Sequence, residues 1–189
     1  MKFENKDALE FLKTLDKKSV NLALIDPPYL ISKESGFKSC INGVDRFKIS
    51  TEFGEWDKEK NFSYRYFSEV IQEIHRVLKD GGTIICFYDI WKTETLKNIF
   101  EMTKFKQIRF IEWVKSNPVP INSKINYLTN CREIALTAVK KSKPTFNSSY
   151  DKGIYNYPIC QDKGRFHPTQ KPLALKTELI KKHSNEEDV

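Results

Sequence analysis

The run Val20-Asn21-Leu22-Ala23-Leu24-Ile25 stops abruptly at Asp26-Pro27-Pro28-Tyr29. The apolar run has the pattern of a short strand buried on both faces, and two successive prolines end any hydrogen-bonded ladder there. Such a strand needs cover on both sides, and the flanking sequence supplies it. Ala8, Phe11, Leu12 and Leu15 fall on one helical stripe within Asn5 to Leu15, which Lys17-Lys18-Ser19 breaks. Phe67, Val70, Ile71, Ile74, Val77 and Leu78 repeat with helical spacing, and Lys79-Asp80-Gly81-Gly82 supplies the cation and glycine stop of a helix end. Thr83 to Tyr88 is a second buried strand, followed by a helix over Thr93 to Met102, a strand over Gln107 to Lys115 and a strand over Arg132 to Val139. Pro172 suits the first position of a final helix, Leu173 to His183. Strands alternating with helices predict an α/β sheet with helices on both faces.

Two segments lack periodicity. Leu30 to Asn61 is polar and mixed in charge, so residues 30–61 are expected to form a long mobile loop. Lys141 to Arg165 reads as surface chain, and Asn117 to Asn130 as a loop opened by Pro118 and Pro120. With 189 residues, one compact domain is the expectation. The longest apolar stretches are a few residues, far short of the roughly 20 that cross a bilayer, and Lys2 to Asp16 is charged where a signal sequence would be apolar. A cytoplasmic protein with no membrane partner is therefore expected. Cys40, Cys86, Cys131 and Cys160 are widely spaced with no metal-binding pattern, and are expected to be reduced.

The formal charge is +7, which favours a polyanionic partner without naming one. The basic excess concentrates between positions 140 and 171, where Lys140, Lys141, Lys143, Lys152, Lys163, Arg165 and Lys171 face only Asp151 and Asp162. Two further points could carry chemistry. Asp26-Pro27-Pro28-Tyr29 sits at the carboxyl end of a strand, where open α/β sheets bind ligands. It offers a carboxylate, a carbonyl with no N–H beside it and a flat ring, a set suited to a planar group bearing an amine; an ordinary Asx-Pro turn is the plain alternative. Arg165-Phe166-His167-Pro168-Thr169-Gln170-Lys171-Pro172 places polar side chains and free amides before the last helix, although a helix capped by Thr169 would need no more than that. His75 and His183 read as packing or surface residues.

Taken together these motifs resemble the N6-adenine and N4-cytosine DNA methyltransferases in their β-class order. In that family D-P-P-Y is the catalytic motif and H-P-T-Q-K-P precedes the cofactor strand; both stand here at Asp26 to Tyr29 and His167 to Pro172. Asp7-Ala8-Leu9-Glu10-Phe11-Leu12, Leu78-Lys79-Asp80-Gly81-Gly82 and Trp113-Val114-Lys115-Ser116-Asn117-Pro118-Val119-Pro120 match further family patterns. The resemblance implies a Rossmann-like class I methyltransferase sheet. It implies methyl transfer from S-adenosylmethionine to N6 of an adenine flipped from double-stranded DNA, with Asp26, Pro27, Pro28 and Tyr29 as the catalytic set. Asp7, Ala8, His167, Pro168, Thr169, Gln170, Lys171 and Pro172 would line the cofactor. Asp rather than Ser at position 26 favours adenine over N4 of cytosine. The target-recognition segment would span 140–164, with Lys140, Lys141, Lys143, Lys152, Lys163 and Arg165 on DNA and Phe146, Tyr150, Tyr155 and Tyr157 available for stacking. No metal is implied.

One family feature is missing. The glycine turn D-x-F-x-G-x-G expected after the last helix does not occur, and no G-x-G stands anywhere in the sequence. The expectation is a sheet incomplete at its C-terminal side, with an edge beside Leu22 to Ile25. Residues 1–189 would then be one partial domain that works with a complementing fragment or as a homodimer, or else a non-catalytic remnant that binds DNA.

Overall fold

A computed structural model describes residues 4–29, 37–41, 44–49, 63–119, 128–160, 167 and 169–189. The chain divides into two compact units, residues 28–67 and the remainder. The larger unit is built on a sheet of five strands in the order β1-β4-β6-β5-β7. These are β1 (Val20–Ile25), β4 (Leu78–Tyr88), β5 (Phe105–Lys115), β6 (Arg132–Lys140) and β7 (Ile154–Tyr157). The helices are α1 (Ala8–Lys13), α2 (Tyr64–Val77), α3 (Thr93–Met102) and α4 (Leu173–His183). The expected alternation is present, and α3, β1 and α4 have the boundaries read from the sequence. None of the helices among the described residues is long and apolar enough to cross a membrane.

β4 is the centre of the core. Ile84, Ile85, Cys86 and Phe87 have no exposed surface, and successive strand residues point to opposite faces, so both faces of the sheet are covered. α3 packs on β5 and β6, and α4 touches β1 and β7. Leu96, Ile99, Phe100, Leu175 and Leu179 are completely buried. The sheet is mixed: β1 pairs parallel to β4, β6 runs antiparallel between β4 and β5, and β7 is parallel to β5.

Three expectations change. β1 is apolar except for Asn21, yet only Val20 is buried and the rest are half-buried, because β1 lies at the end of the strand order rather than inside it. The N–H groups of Asn21 and Leu22 donate to the Val189 carbonyl, the latter at 3.1 Å. Within the segment expected to be a loop, β2 (Phe37–Ile41) and β3 (Val44–Ile49) form an antiparallel pair in the smaller unit; the remainder of 30–61 lies outside the described residues. β7 falls in a stretch with no strand periodicity. It forms through Asp151, whose carboxylate accepts from the Gly153 N–H at 2.6 Å, and through Gly153 at φ +72°, where a Cβ would meet the Phe110 carbonyl at 2.7 Å.

Among the described residues, Cys86, Cys131 and Cys160 are free thiols.

Candidate active site

Parallel pairing of Ile25 with Cys86, and antiparallel pairing of Cys86 with Leu136 and Tyr88 with Ile134, bring the end of β1 level with the start of β6. Asp26 and Glu133 therefore emerge at the same end of the sheet. Lys171, 145 positions beyond Asp26, reaches into that end. Its ammonium lies 3.0 Å from Asp26 Oδ1 and 3.0 Å from Glu133 Oε2, and its side chain is only 3% exposed. It also stands 5.3 Å from the centre of the Phe87 ring. Lys115, at the end of β5, closes the row with a 2.8 Å contact to Glu133 Oε1. Burial pushes the Glu133 carboxyl up, but the Lys171 and Lys115 ammoniums beside it more than reverse this and hold it below its ordinary value.

Asp26 is the open end of this row, with 32% of its side chain exposed. Pro27 and Tyr29 are half-buried; Pro28 and Tyr29 belong to the smaller unit. The turn before α4 is organised locally. Thr169 N–H and Oγ1 both lie within hydrogen-bond distance of His167 Nδ1, at 3.2 and 2.9 Å, and the Gln170 N–H donates to the His167 carbonyl. Thr169 is thus no helix cap; Pro172 occupies that position, at φ −58°. Pro168 lies outside the described residues. Asp7 caps α1, its Oδ1 accepting from the Leu9 and Glu10 N–H groups at 3.0 and 3.1 Å, with Ala8 opening the helix.

The basic set does not form one surface. Lys140 is buried and its ammonium donates to the carbonyls of His75, Arg76 and Leu78 at 2.5, 3.4 and 2.7 Å, closing the carboxyl end of α2. Its ammonium thus serves the fold rather than an open surface. β6 carries the chain from Glu133 to Lys140, so Lys141 stands at the far end of the sheet, about 26 Å from Glu133 at the rise of an extended strand, with Lys143 just beyond it in sequence. Lys141 faces Asp80 at 3.7 Å. Lys152 is exposed in the turn before β7, while Lys163 and Arg165 lie outside the described residues.

Two of the candidate stacking rings serve the fold instead. Tyr155 is buried beneath the Lys182 ammonium, 4.6 Å from the ring centre, and its hydroxyl meets Asp151 at 3.0 Å. Burial first, then that bond, pushes Tyr155 up to about 12. The Tyr157 hydroxyl donates to Glu178. Lys182 joins Asp151 and Glu178 at 2.5 and 2.6 Å, fastening the turn before β7 to α4. Tyr150 is 80% exposed.

Glu133 carries no motif and was missed in the sequence, since a charged residue opening an apolar strand looks like an ordinary surface end. Lys115 was visible only as part of the Trp113-Val114-Lys115-Ser116-Asn117 pattern. That pattern has a physical basis: Trp113 Nε1 donates to the Tyr157 carbonyl at 2.8 Å, Lys115 bonds Glu133, and Asn117 Oδ1 accepts from the Ile159 N–H at 2.7 Å. Alternate residues thus hold the site and the strand beside it.

A mixed sheet covered on both faces carries a carboxylate at the end of an apolar strand with a polar turn brought to it, which is the place where open α/β sheets bind ligands. A family model described as DNA methylase, N6_N4_Mtase, matches residues 20–189, and the chain belongs to this family. It is 31% identical to the Type II methyltransferase M2.MboI of Moraxella bovis, across 97% of this chain and 71% of that protein. It is likewise 31% identical to M.HinfI of Haemophilus influenzae, across 97% of this chain and 55% of the relative. A crystal structure of an M1.HpyAVI-SAM complex matches with TM-score 0.66 and 26% identity, covering 98% of this chain and 78% of that one. The cytosine-N4-specific PvuII DNA methyltransferase shares the fold at TM-score 0.69 and 13% identity, covering 97% and 70%.

Proposed function

We propose that this chain carries the catalytic face of a DNA adenine-N6 methyltransferase that uses S-adenosylmethionine. The observation that carries the reading is the contact between Lys171 and Asp26, which joins the two family motifs at one end of the sheet. The donor set of the turn before α4 fits the cofactor: an imidazole, a hydroxyl and a carboxamide at His167, Thr169 and Gln170 suit the amino-carboxylate end of a methionine. When bound, the cofactor supplies an electrophilic methyl group.

An exocyclic amine is a poor nucleophile because its lone pair is delocalised into the ring. Hydrogen bonds from the amino hydrogens to the Asp26 carboxylate and the Pro27 carbonyl draw the nitrogen toward tetrahedral geometry and aim its lone pair. No side chain needs to form a covalent bond, so the work is positioning and charge stabilisation. The base must leave the duplex to reach Asp26, and stacking on Tyr29 offsets part of the cost of extrusion. On the DNA side, exposed Lys152 and the sequence neighbours Lys163 and Arg165 are the phosphate contacts, with Tyr150 available for stacking.

The test is incubation of the chain with duplex DNA and methyl-labelled S-adenosylmethionine, followed by nucleoside analysis. Labelled N6-methyladenine that disappears in Asp26→Ala supports the reading. Labelled N4-methylcytosine instead overturns the choice of base, and absence of any transfer overturns the activity.

A further inference from the structure

A lysine with almost no exposed surface is costly unless its charge is matched, and Lys171 is matched by two carboxylates from different strands. The four groups alternate in sign, Asp26, Lys171, Glu133, Lys115, so the row is neutral as a whole and each interior member holds two neighbours. Asp26 is the most exposed of the four. Its Oδ1 is the atom that Lys171 holds, so Oδ2 is the oxygen outside that bond.

We propose that Glu133 is a positioning residue for methyl transfer: through Lys171 it fixes the rotamer of Asp26, so that Oδ2 meets the target amine in one orientation. The inference rests on the function proposed above and deepens it. Glu133 orients the ammonium, Lys115 orients Glu133, and the ammonium orients the carboxylate that touches the substrate. Lys171 acts here on the protein's own carboxylate rather than on the cofactor, which separates this role from a cofactor-lining one. Among the described residues the Cys86 thiol also feels Asp26; burial and then the Asp26 charge push it well above its ordinary value, so it remains neutral and adds no charge to the row.

The experiment has a structural arm and a kinetic arm. In 15N-labelled chain, a lysine ammonium shielded from water and bonded to two carboxylates gives a slowly exchanging Nζ cross-peak, identified by its loss in Lys171→Arg. The proposal expects this cross-peak to move in both Glu133→Gln and Asp26→Asn; a response to only one of them overturns the bridge. In the kinetic arm, Glu133→Gln is expected to lower kcat about tenfold, since small misplacement of a reacting group is costly. KM for S-adenosylmethionine and its calorimetric Kd stay within about twofold of wild type, the pattern of an interaction felt in the transition state alone. Lys171→Arg is expected to keep more activity than Lys171→Met. A rise in KM and Kd that parallels the loss of rate, or an unchanged kcat, overturns the positioning role. A wild-type chain that transfers no methyl group overturns the proposed function and the catalytic half of this inference, while the cross-peak still decides whether Glu133 and Asp26 share Lys171.

Discussion

Two buried lysines stand at opposite ends of the same sheet and have been put to different uses. Lys171 is 5% exposed and Lys140 is 3% exposed, so burial alone does not distinguish them. Their partners do. Lys140 donates to three backbone carbonyls, neutral acceptors at the end of α2, and its charge is held below its ordinary proton affinity first of all by burial. Lys171 sits between two carboxylates, one of which opens to solvent. A cation that closes a helix end needs nothing beyond the fold; a cation clamped between carboxylates leaves an oriented anion at the surface. The first is a fastening and the second a site.

The comparison is sharpest when one end is disabled and the other left intact. Asp26→Ala removes the acceptor and is expected to lower methyl transfer by about 10²- to 10³-fold, the scale of losing one preorganised polar contact to a reacting group. Because Asp26 is partly exposed and Glu133 still faces the Lys171 ammonium, the loss of thermal stability should be smaller than in the Lys140 variant below. Transfer measured at saturating DNA, alongside a melting curve, checks both halves; an inactive variant that also melts early would mean that Asp26 is a structural anchor like Lys140.

Lys140→Met is the converse. It leaves the His75 and Leu78 carbonyls without the Lys140 donor, while Arg76 keeps the Lys18 N–H, at an expected cost of about 1–3 kcal/mol. Transfer per folded molecule and DNA affinity should be preserved. Denaturant titration and a DNA-binding isotherm decide it: weakened DNA binding at unchanged stability would restore Lys140 as a phosphate contact.

The same contrast shows where sequence reasoning reaches its limit. The bounds of α3, β1 and α4 were legible, β1 from its apolar run ended by two prolines and α4 from Pro172 at its start. β7 escaped because Ile154-Tyr155-Asn156-Tyr157 owes its strand to neighbours, namely Asp151, Gly153 and the edge of β5. The Asp26-Pro27-Pro28-Tyr29 turn was legible because two prolines and an aspartate at a strand end are rare together. Glu133 was not, since its role depends on strand register, which sets it level with Asp26. The basic stretch misled for the same reason: Lys140, Lys141 and Lys152 are close in sequence, yet β6 ends before Lys141 at the far end of the sheet, and β7 carries the chain back toward Tyr157 beside Lys115. Charge counts along a chain do not record where strands run.

Lys152 and Lys141 turn that point into a measurement. If Lys152 meets a phosphate, Lys152→Ala should reduce the slope of log affinity against log salt by about one unit, and Lys141→Ala should leave the slope unchanged. Equal effects from both variants would mean that DNA contacts both ends of the sheet.

The smallest expected effect lies at the Lys140 end and depends on pH. The His75 imidazole packs edge-on against Phe105, 4.9 Å between ring centres. Burial foremost, then the Lys140 and Lys141 ammoniums, holds it below its ordinary value of 6.5, with Asp80 pulling the other way. The folded protein therefore refuses a proton that the unfolded chain accepts. Above pH 6.5 neither state is protonated at His75 and nothing is lost. As the pH falls below 6.5 the unfolded chain gains the proton first, so stability declines until the lowered folded value is passed. Lys141 is mostly exposed, with 63% of its side chain in solvent, so removing it costs little packing while relieving part of the repulsion. Lys141→Ala should thus flatten the acid-side decline, raising the midpoint at pH 5.5 relative to pH 7.5 by about 1 °C, a fraction of the few degrees that correspond to 1 kcal/mol in a chain of this size. Melting curves across that range check it, with His75→Asn as the variant in which the dependence on Lys141 vanishes. An unchanged slope in Lys141→Ala would mean that burial and Lys140 set His75 without help from Lys141.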